Sequence, residues 1–269
     1  MKKLEKFKQS SFLRVFNIIK KNPNIYLYTL VLDFIFLAVI MFIGKYFGSL
    51  IPSDPQQLTE LFKTQTRMLV FVLIYPVVYY AFITFIYSLL KLKILNFITN
   101  LYEKRKFTLK RLGKFYLLNL SILALFVFTA LILLGILTLL IQKEALAPIT
   151  LILLIPFLFF LYSIINISHT FFINKKEKPL KSSFKILFTK INKYGMFIVW
   201  NIALILIYLI FYNIIHLLLK FTIFTNQEIL AAYGGIYLKT LNIVSLIAVF
   251  LLIAFNRIYF YELGKNVLS

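Results

Sequence analysis

Six apolar runs constrain this chain more than any other feature: about 25–47, 68–90, 115–141, 149–173, 196–219 and 237–261. Each reaches the ~20 residues that a helix needs to cross ~30 Å of hydrocarbon. Hydrophobic residues make up 61% of the 269, a surplus that a soluble domain could not hide. The fold class expected is all-α, a polytopic transmembrane bundle of six spans. Only Gln142–Pro148 separates the third span from the fourth, so these two should form an antiparallel hairpin.

Charge sits in the gaps. The formal net charge is +21, and 24 of the 30 lysines and arginines fall in every second gap. These are the N-terminus to Lys21, Lys91–Lys114, Lys175–Lys193, and Arg257 with Lys265. The other side holds six: Lys45, Lys63, Arg67, Lys143, Lys220 and Lys239. By the positive-inside rule both termini and the two long basic loops are cytoplasmic, in a plasma-membrane protein. A charge of this size in a soluble chain would suggest nucleic acid. Placed between spans it reports topology instead, and no nucleic-acid partner is expected. With no cysteine in the chain, disulfides and thiolate chemistry are excluded.

Two of the basic gaps carry the pattern of an amphipathic helix. In the first, Phe12, Val15, Phe16, Ile18 and Ile19 share a side, and Arg14, Asn17, Lys20 and Lys21 take the other. In the second, Leu180, Phe184, Leu187, Phe188, Ile191 and Tyr194 are in phase, with Lys181, Lys185, Lys190 and Lys193 mostly elsewhere. These cytoplasmic helices precede spans one and five. Residues 1–24 are read as a basic amphipathic segment and 25–269 as one six-span domain. Shifting the first copy by 172 residues places Ser10, Ser11, Phe12, Phe16, Ile19 and Lys21 on Ser182, Ser183, Phe184, Phe188, Ile191 and Lys193. An internal repeat explains this match, and so does a composition rich in Phe, Ile and Lys. Further along, Thr225 and Glu228 form a capping box for a short helix expected to stop at Gly234–Gly235.

A basic amphipathic helix bearing Ser-Ser-Phe and leading into a span, at Ser10-Ser11-Phe12 and again at Ser182-Ser183-Phe184, resembles a diffuse group of prokaryotic six-span membrane domains. The group includes the membrane domain attached to some glycerophosphodiester phosphodiesterases. The likeness implies a helical membrane domain. It implies no activity, because the phosphodiesterase catalytic domain has no counterpart here.

Catalytic patterns are scarce. An intramembrane aspartyl protease needs two facing carboxylates, and the spans contain only Asp33. The two histidines, His169 and His216, lie near opposite faces and form no HExxH. No Walker loop or GxGxxG occurs. The chain is read as a non-enzyme with no cofactor and no metal.

Two polar constellations remain. Asp33, Asn119, Asn166, His169, Asn201, Asn256 and Arg257 fall within about two turns of the cytoplasmic face and form a candidate polar layer. An ionisable group in a span is costly, so Asp33 should have a partner, and Arg257 is the best placed. The plainer reading is hydrogen bonding between helices, worth ~0.6 kcal/mol per contact. On span two, Tyr80, Thr84, Tyr87, Ser88 and Lys91 share one face and could line a polar cavity. Interior packing with bonded hydroxyls is the plainer reading.

The function expected is a non-catalytic membrane scaffold or a lipid- or partner-interacting protein. Lys20, Lys21, Lys181, Lys185, Lys190 and Lys193 would meet anionic headgroups, and a membrane or cytoplasmic protein partner is a further expectation. The alternative is a transporter or lipid-handling protein whose cavity is lined by span two and Asp33. Because the chain lacks cysteine, single-cysteine variants are clean reporters of topology. Ser182→Cys should label only from the cytoplasm and Gln56→Cys only from outside. Labelling of both from one side would overturn six spans.

Overall fold

The computed structural model describes residues 11–49, 64–100, 107–141, 143–175, 178–189, 196–222 and 227–266. Among them are eight α-helices and no strand. In chain order these are α1 (Ser11–Lys21), α2 (Pro23–Ser49), α3 (Gln65–Thr99), α4 (Leu109–Leu140), α5 (Lys143–Ile173), α6 (Pro179–Thr189), α7 (Met196–Thr222) and α8 (Gln227–Asn266). Five of them, α2, α3, α4, α5 and α8, are long and apolar enough to cross a membrane. α7 has 27 residues and carries the apolar stretch Val199–Ile214. The chain is thus helical and apolar in the manner of a multi-pass membrane protein.

Three boundaries differ from those read in the sequence. α3 runs on to Thr99 instead of stopping near 90. Leu92, Ile94, Leu95 and Ile98 continue the apolar phase and are buried, so the first turns of the basic gap stay helical. α5 starts at Lys143 and includes Pro148, which shortens the α4–α5 connection. α8 passes straight through Gly234–Gly235, where a stop was expected. No glycine among the described residues has a positive φ. Without that left-handed turn a glycine pair only lowers helix propensity, by ~1 kcal/mol each, and does not end a helix.

Burial is concentrated at one end. Ile94 and Ile98 of α3, Phe115 of α4, Ile167 and Phe171 of α5, and Ile258 and Phe260 of α8 form the core there. These are C-terminal ends of α3, α5 and α8 against the N-terminal end of α4, as antiparallel connection requires. The end of α8 is its centre: all nine residues from Asn256 to Gly264 are buried. A helix enclosed on all sides needs neighbours on all sides, and α8 packs against α1, α2 and α5. This is also the basic end. Towards the other end the side chains become exposed, among them Met68–Val70 of α3, Leu139 and Leu140 of α4, and Leu151–Ile155 of α5.

α7 stands apart. Among the described residues its backbone barely approaches any other helix. Side chains hold it: Phe197 against Phe260, with ring centroids 4.8 Å apart, and a hydrogen bond between the Tyr208 and Ser245 hydroxyls further along.

α1 and α6 each present one face to the bundle. α1 buries Val15 and packs on α8 and α2, while Phe16 is 59% exposed. α6 buries Ser183, Ile186 and Leu187 against α5, while Phe188 is 73% exposed. The hydroxyls of Ser168 and Ser183 pin it, 2.8 Å apart. The expected single apolar face therefore splits in each helix, because the bundle covers only part of it. Under the 172-residue shift, buried Val15 falls on buried Leu187 and exposed Phe16 on exposed Phe188.

The seam between α5 and α8 is closest at Gly264, where an added Cβ would run into Cγ2 of Thr170. Thr170 cannot turn away freely, because its hydroxyl donates to the Asn166 carbonyl at 2.9 Å. Gly264→Ala should therefore lower stability by ~1–3 kcal/mol, read as the thermal midpoint in detergent. Adding Thr170→Ser, which removes the methyl and keeps the hydroxyl, should restore much of it. An unchanged midpoint for Gly264→Ala would show that the seam is looser than described.

Candidate functional site

All members of the expected polar layer are buried at the basic end: Asp33, Asn119, Asn166, His169, Asn201, Asn256 and Arg257. Six of them form three connected groups, because the helices contribute polar side chains at a similar level, and Asn166 bonds within its own helix.

The first group is an ion pair. Asp33 lies on α2 and Arg257 on α8, 224 residues apart in sequence. Nη1 of Arg257 donates to both carboxylate oxygens at 2.5 Å. One nitrogen is shared between two oxygens, so the fork of the guanidinium is not used in full. Its Nε is buried without a hydrogen-bond partner among the described residues. Lys91 of α3 points into the same region, 4% exposed, within electrostatic reach of both Asp33 and Arg257. The pair thus stands beside a second basic side chain. In a dry interior that geometry keeps a carboxylate charged only while its counter-charge stays in place.

The second group is a hydrogen-bonded chain across α3, α4 and α5. Ser88 donates to the Thr84 carbonyl at 2.6 Å. Asn119 Nδ2 donates to the Ser88 hydroxyl at 2.8 Å, and Asn119 Oδ1 meets His169 Nε2 at 2.7 Å. With the amide oxygen as acceptor, Nε2 carries the proton. Nδ1 of His169 is then buried without a partner among the described residues. Phe115 packs on the ring with centroids 4.8 Å apart. Beside this chain lies a cavity of about 150 Å³ lined by Thr84, Tyr87 and Asn119 with apolar residues of α4 and α5.

The third group ties α7 to α8. Asn201 Nδ2 donates to Asn256 Oδ1 at 3.0 Å, and Asn256 Nδ2 returns the bond to Asn201 Oδ1 at 2.7 Å. A reciprocal amide pair satisfies both side chains at once, which suits a helix with little other packing. Asn166 turns to its own helix and donates to the Tyr162 carbonyl at 2.8 Å.

The span-two stripe is divided. Thr84, Ser88 and Lys91 are buried and Tyr87 is partly so, but Tyr80 is 53% exposed. Tyr80 is in phase with the others and differs only in depth, lying towards the end of the bundle where side chains are exposed. Asp33 is not among the residues that line the 150 Å³ cavity. Lys20, Lys21, Lys181 and Lys185 are exposed, whereas Lys190 and Lys193 lie outside the described residues.

Sequence reasoning placed Lys91 both on the span-two stripe and at the start of a basic gap, and it did not foresee that Asn119 joins Ser88 to His169. The signal for Lys91 was the apolar phase of Leu92, Ile94, Leu95 and Ile98 after it. For α5 it was the spacing of Ser163, Asn166 and Thr170, three buried polar residues on one helical face. No group of three His, Cys, Asp or Glu side chains able to hold a metal occurs among the described residues.

Comparison with protein-family models, with curated proteins and with solved structures found no match to this chain.

The ion pair makes a quantitative demand. Asp33→Asn leaves Arg257 buried beside Lys91 without a full counter-charge and should cost ~3 kcal/mol of stability in detergent. Arg257→Gln alone should cost a similar amount, and the double variant less than their sum. A thermodynamic cycle should return ~1 kcal/mol or more of coupling. Simple additivity would show that the two side chains stabilise the fold independently.

Proposed function

We propose that this chain is a six-span protein of the plasma membrane, with both termini in the cytoplasm, that carries out no catalysis and engages anionic lipid at its inner face. α7 is the sixth spanning helix in this reading, and α1 and α6 are amphipathic helices lying at the cytoplasmic headgroup level. The observation that carries it is the shared design of α1 and α6. Each fixes one face to the bundle through Val15 or Leu187 and leaves a phenylalanine exposed beside exposed lysines. An exposed phenylalanine with Lys20 and Lys21, or with Lys181 and Lys185, suits a surface that is apolar below and negative above. Each cation near such a surface contributes about 1 kcal/mol of attraction. The resemblance to six-span prokaryotic membrane domains belongs to the same proposal.

The reading as a transporter or lipid-handling protein draws support from the 150 Å³ cavity at Thr84, Tyr87 and Asn119. It draws none from Asp33, whose carboxylate is occupied by Arg257.

Spin labels test the lipid reading in the full chain. Labels at Phe16→Cys and Phe188→Cys, in separate variants in anionic bilayers, should collide more with oxygen than with a water-soluble relaxant. The reverse order at both positions would place these phenylalanines in water and favour a cytoplasmic protein partner.

A further inference from the structure

Because α7 stands off the bundle, it leaves a groove against α1, α2 and α8. The groove has a volume of about 380 Å³, and its walls include Leu204 and Ile205 of α7 and Ala248, Leu252 and Phe255 of α8. A space of this kind admits a water at ~10–15 Å³, so the groove is large enough for many methylene-sized groups. Its polar atoms are already matched. The Tyr208 and Ser245 hydroxyls bond each other, and the Tyr26 hydroxyl donates to the Leu251 carbonyl at 2.6 Å. The walls therefore offer hydrocarbon to whatever enters, and water gains nothing there.

At the basic end the groove meets Phe16 of α1. Lys20 follows Phe16 by four residues, so both lie on one face of the helix. Lys20 is exposed, as are Arg14, Asn17 and Lys21. No acidic residue occurs in α1, and the first acid of α2 is Asp33, buried and paired. One end of the groove is thus a cationic rim and the rest is an apolar slot.

We propose that this groove holds one acyl chain of an anionic glycerophospholipid, with its phosphate against Lys20 and the neighbouring cations of α1. The proposal rests on the lipid-engaging reading and names the ligand of one of its two basic helices. The lipid also fills the space that α7 leaves open, so it acts as packing for a helix that protein contacts barely hold.

The chain carries its own reporter. Its one tryptophan, Trp200, lies on α7 one turn before Leu204. The full chain is reconstituted in mixed bilayers, and Trp200 quenching is compared for chain-brominated phosphatidylglycerol and chain-brominated phosphatidylcholine at equal mole fraction. Brominated phosphatidylglycerol should quench several-fold more effectively. Lys20→Gln should lower that preference about fivefold, the equivalent of one surface cation. Ala248→Phe, which fills the slot, should abolish it. Equal quenching by the two lipids in the unaltered chain overturns the groove proposal. If the spin labels at 16 and 188 still report lipid in that case, the broader reading stands. A preference that survives both substitutions also overturns the proposal, because the lipid then sits elsewhere.

Discussion

The contact between Arg257 and Asp33 sets the terms for the rest of this molecule. A carboxylate among apolar helices is tolerable only with a counter-charge, and its hydrogen-bonded partner arrives on α8. Meeting it fixes three things together. It sets the depth of α2, the rotation of α8, and the enclosure of the α8 end by the other helices. Lys91 lies in the same region, so removing the acid leaves Arg257 and Lys91 buried together without a carboxylate. The hydrogen-bonded chain from Ser88 to His169 lies at the same level and locks α3, α4 and α5 to one another.

Concentrating polar side chains at one end divides the labour along the bundle. Hydrogen bonds and charge carry information about which helix sits beside which, whereas leucine and isoleucine carry almost none when lipid surrounds them. The basic end therefore has a specified arrangement. The opposite end, with Met68–Val70 and Leu151–Ile155 exposed, leaves helix separation to be set by the surrounding medium. α7 is the extreme case, attached through an aromatic contact, an amide pair and a tyrosine–serine bond.

What could be read from the sequence follows the same division. Long apolar runs announce long helices, because backbone amides in hydrocarbon have no better option. The level of Asp33, Asn119 and Arg257 followed from counting residues along the spans. Whether Tyr80 faces inward did not, because helical phase is local and enclosure by neighbouring helices is not. Gly234–Gly235 suggested a stop, but a glycine ends a helix only where the chain turns left-handed, and nothing in the two residues demands that turn. Lys91 looked like the start of a loop because it is charged. Its burial depends on the apolar residues after it, which keep α3 winding and carry the lysine into the core. The split faces of α1 and α6 were hidden for a related reason: hydrophobic phase shows which residues avoid water, not whether protein or lipid receives them.

The 224 residues between Asp33 and Arg257 impose a delay on biogenesis. At the ~5–20 residues per second of translation, the acid waits roughly 10–45 s for its partner. During that interval α2 is in the bilayer without its hydrogen-bonded partner and with only Lys91 of α3 in electrostatic reach, so the acid must be protonated, solvated by a local water defect, or shielded by the insertion machinery. Arrival of α8 ends the wait and closes the bundle in one step. A ribosome that stalls before Arg257 leaves behind a chain marked by an exposed polar group within the membrane. Membrane proteases and chaperones that recognise such groups could therefore tell a copy that lacks α8 from one in which α8 is in place, and the ion pair would serve as the mark of its arrival.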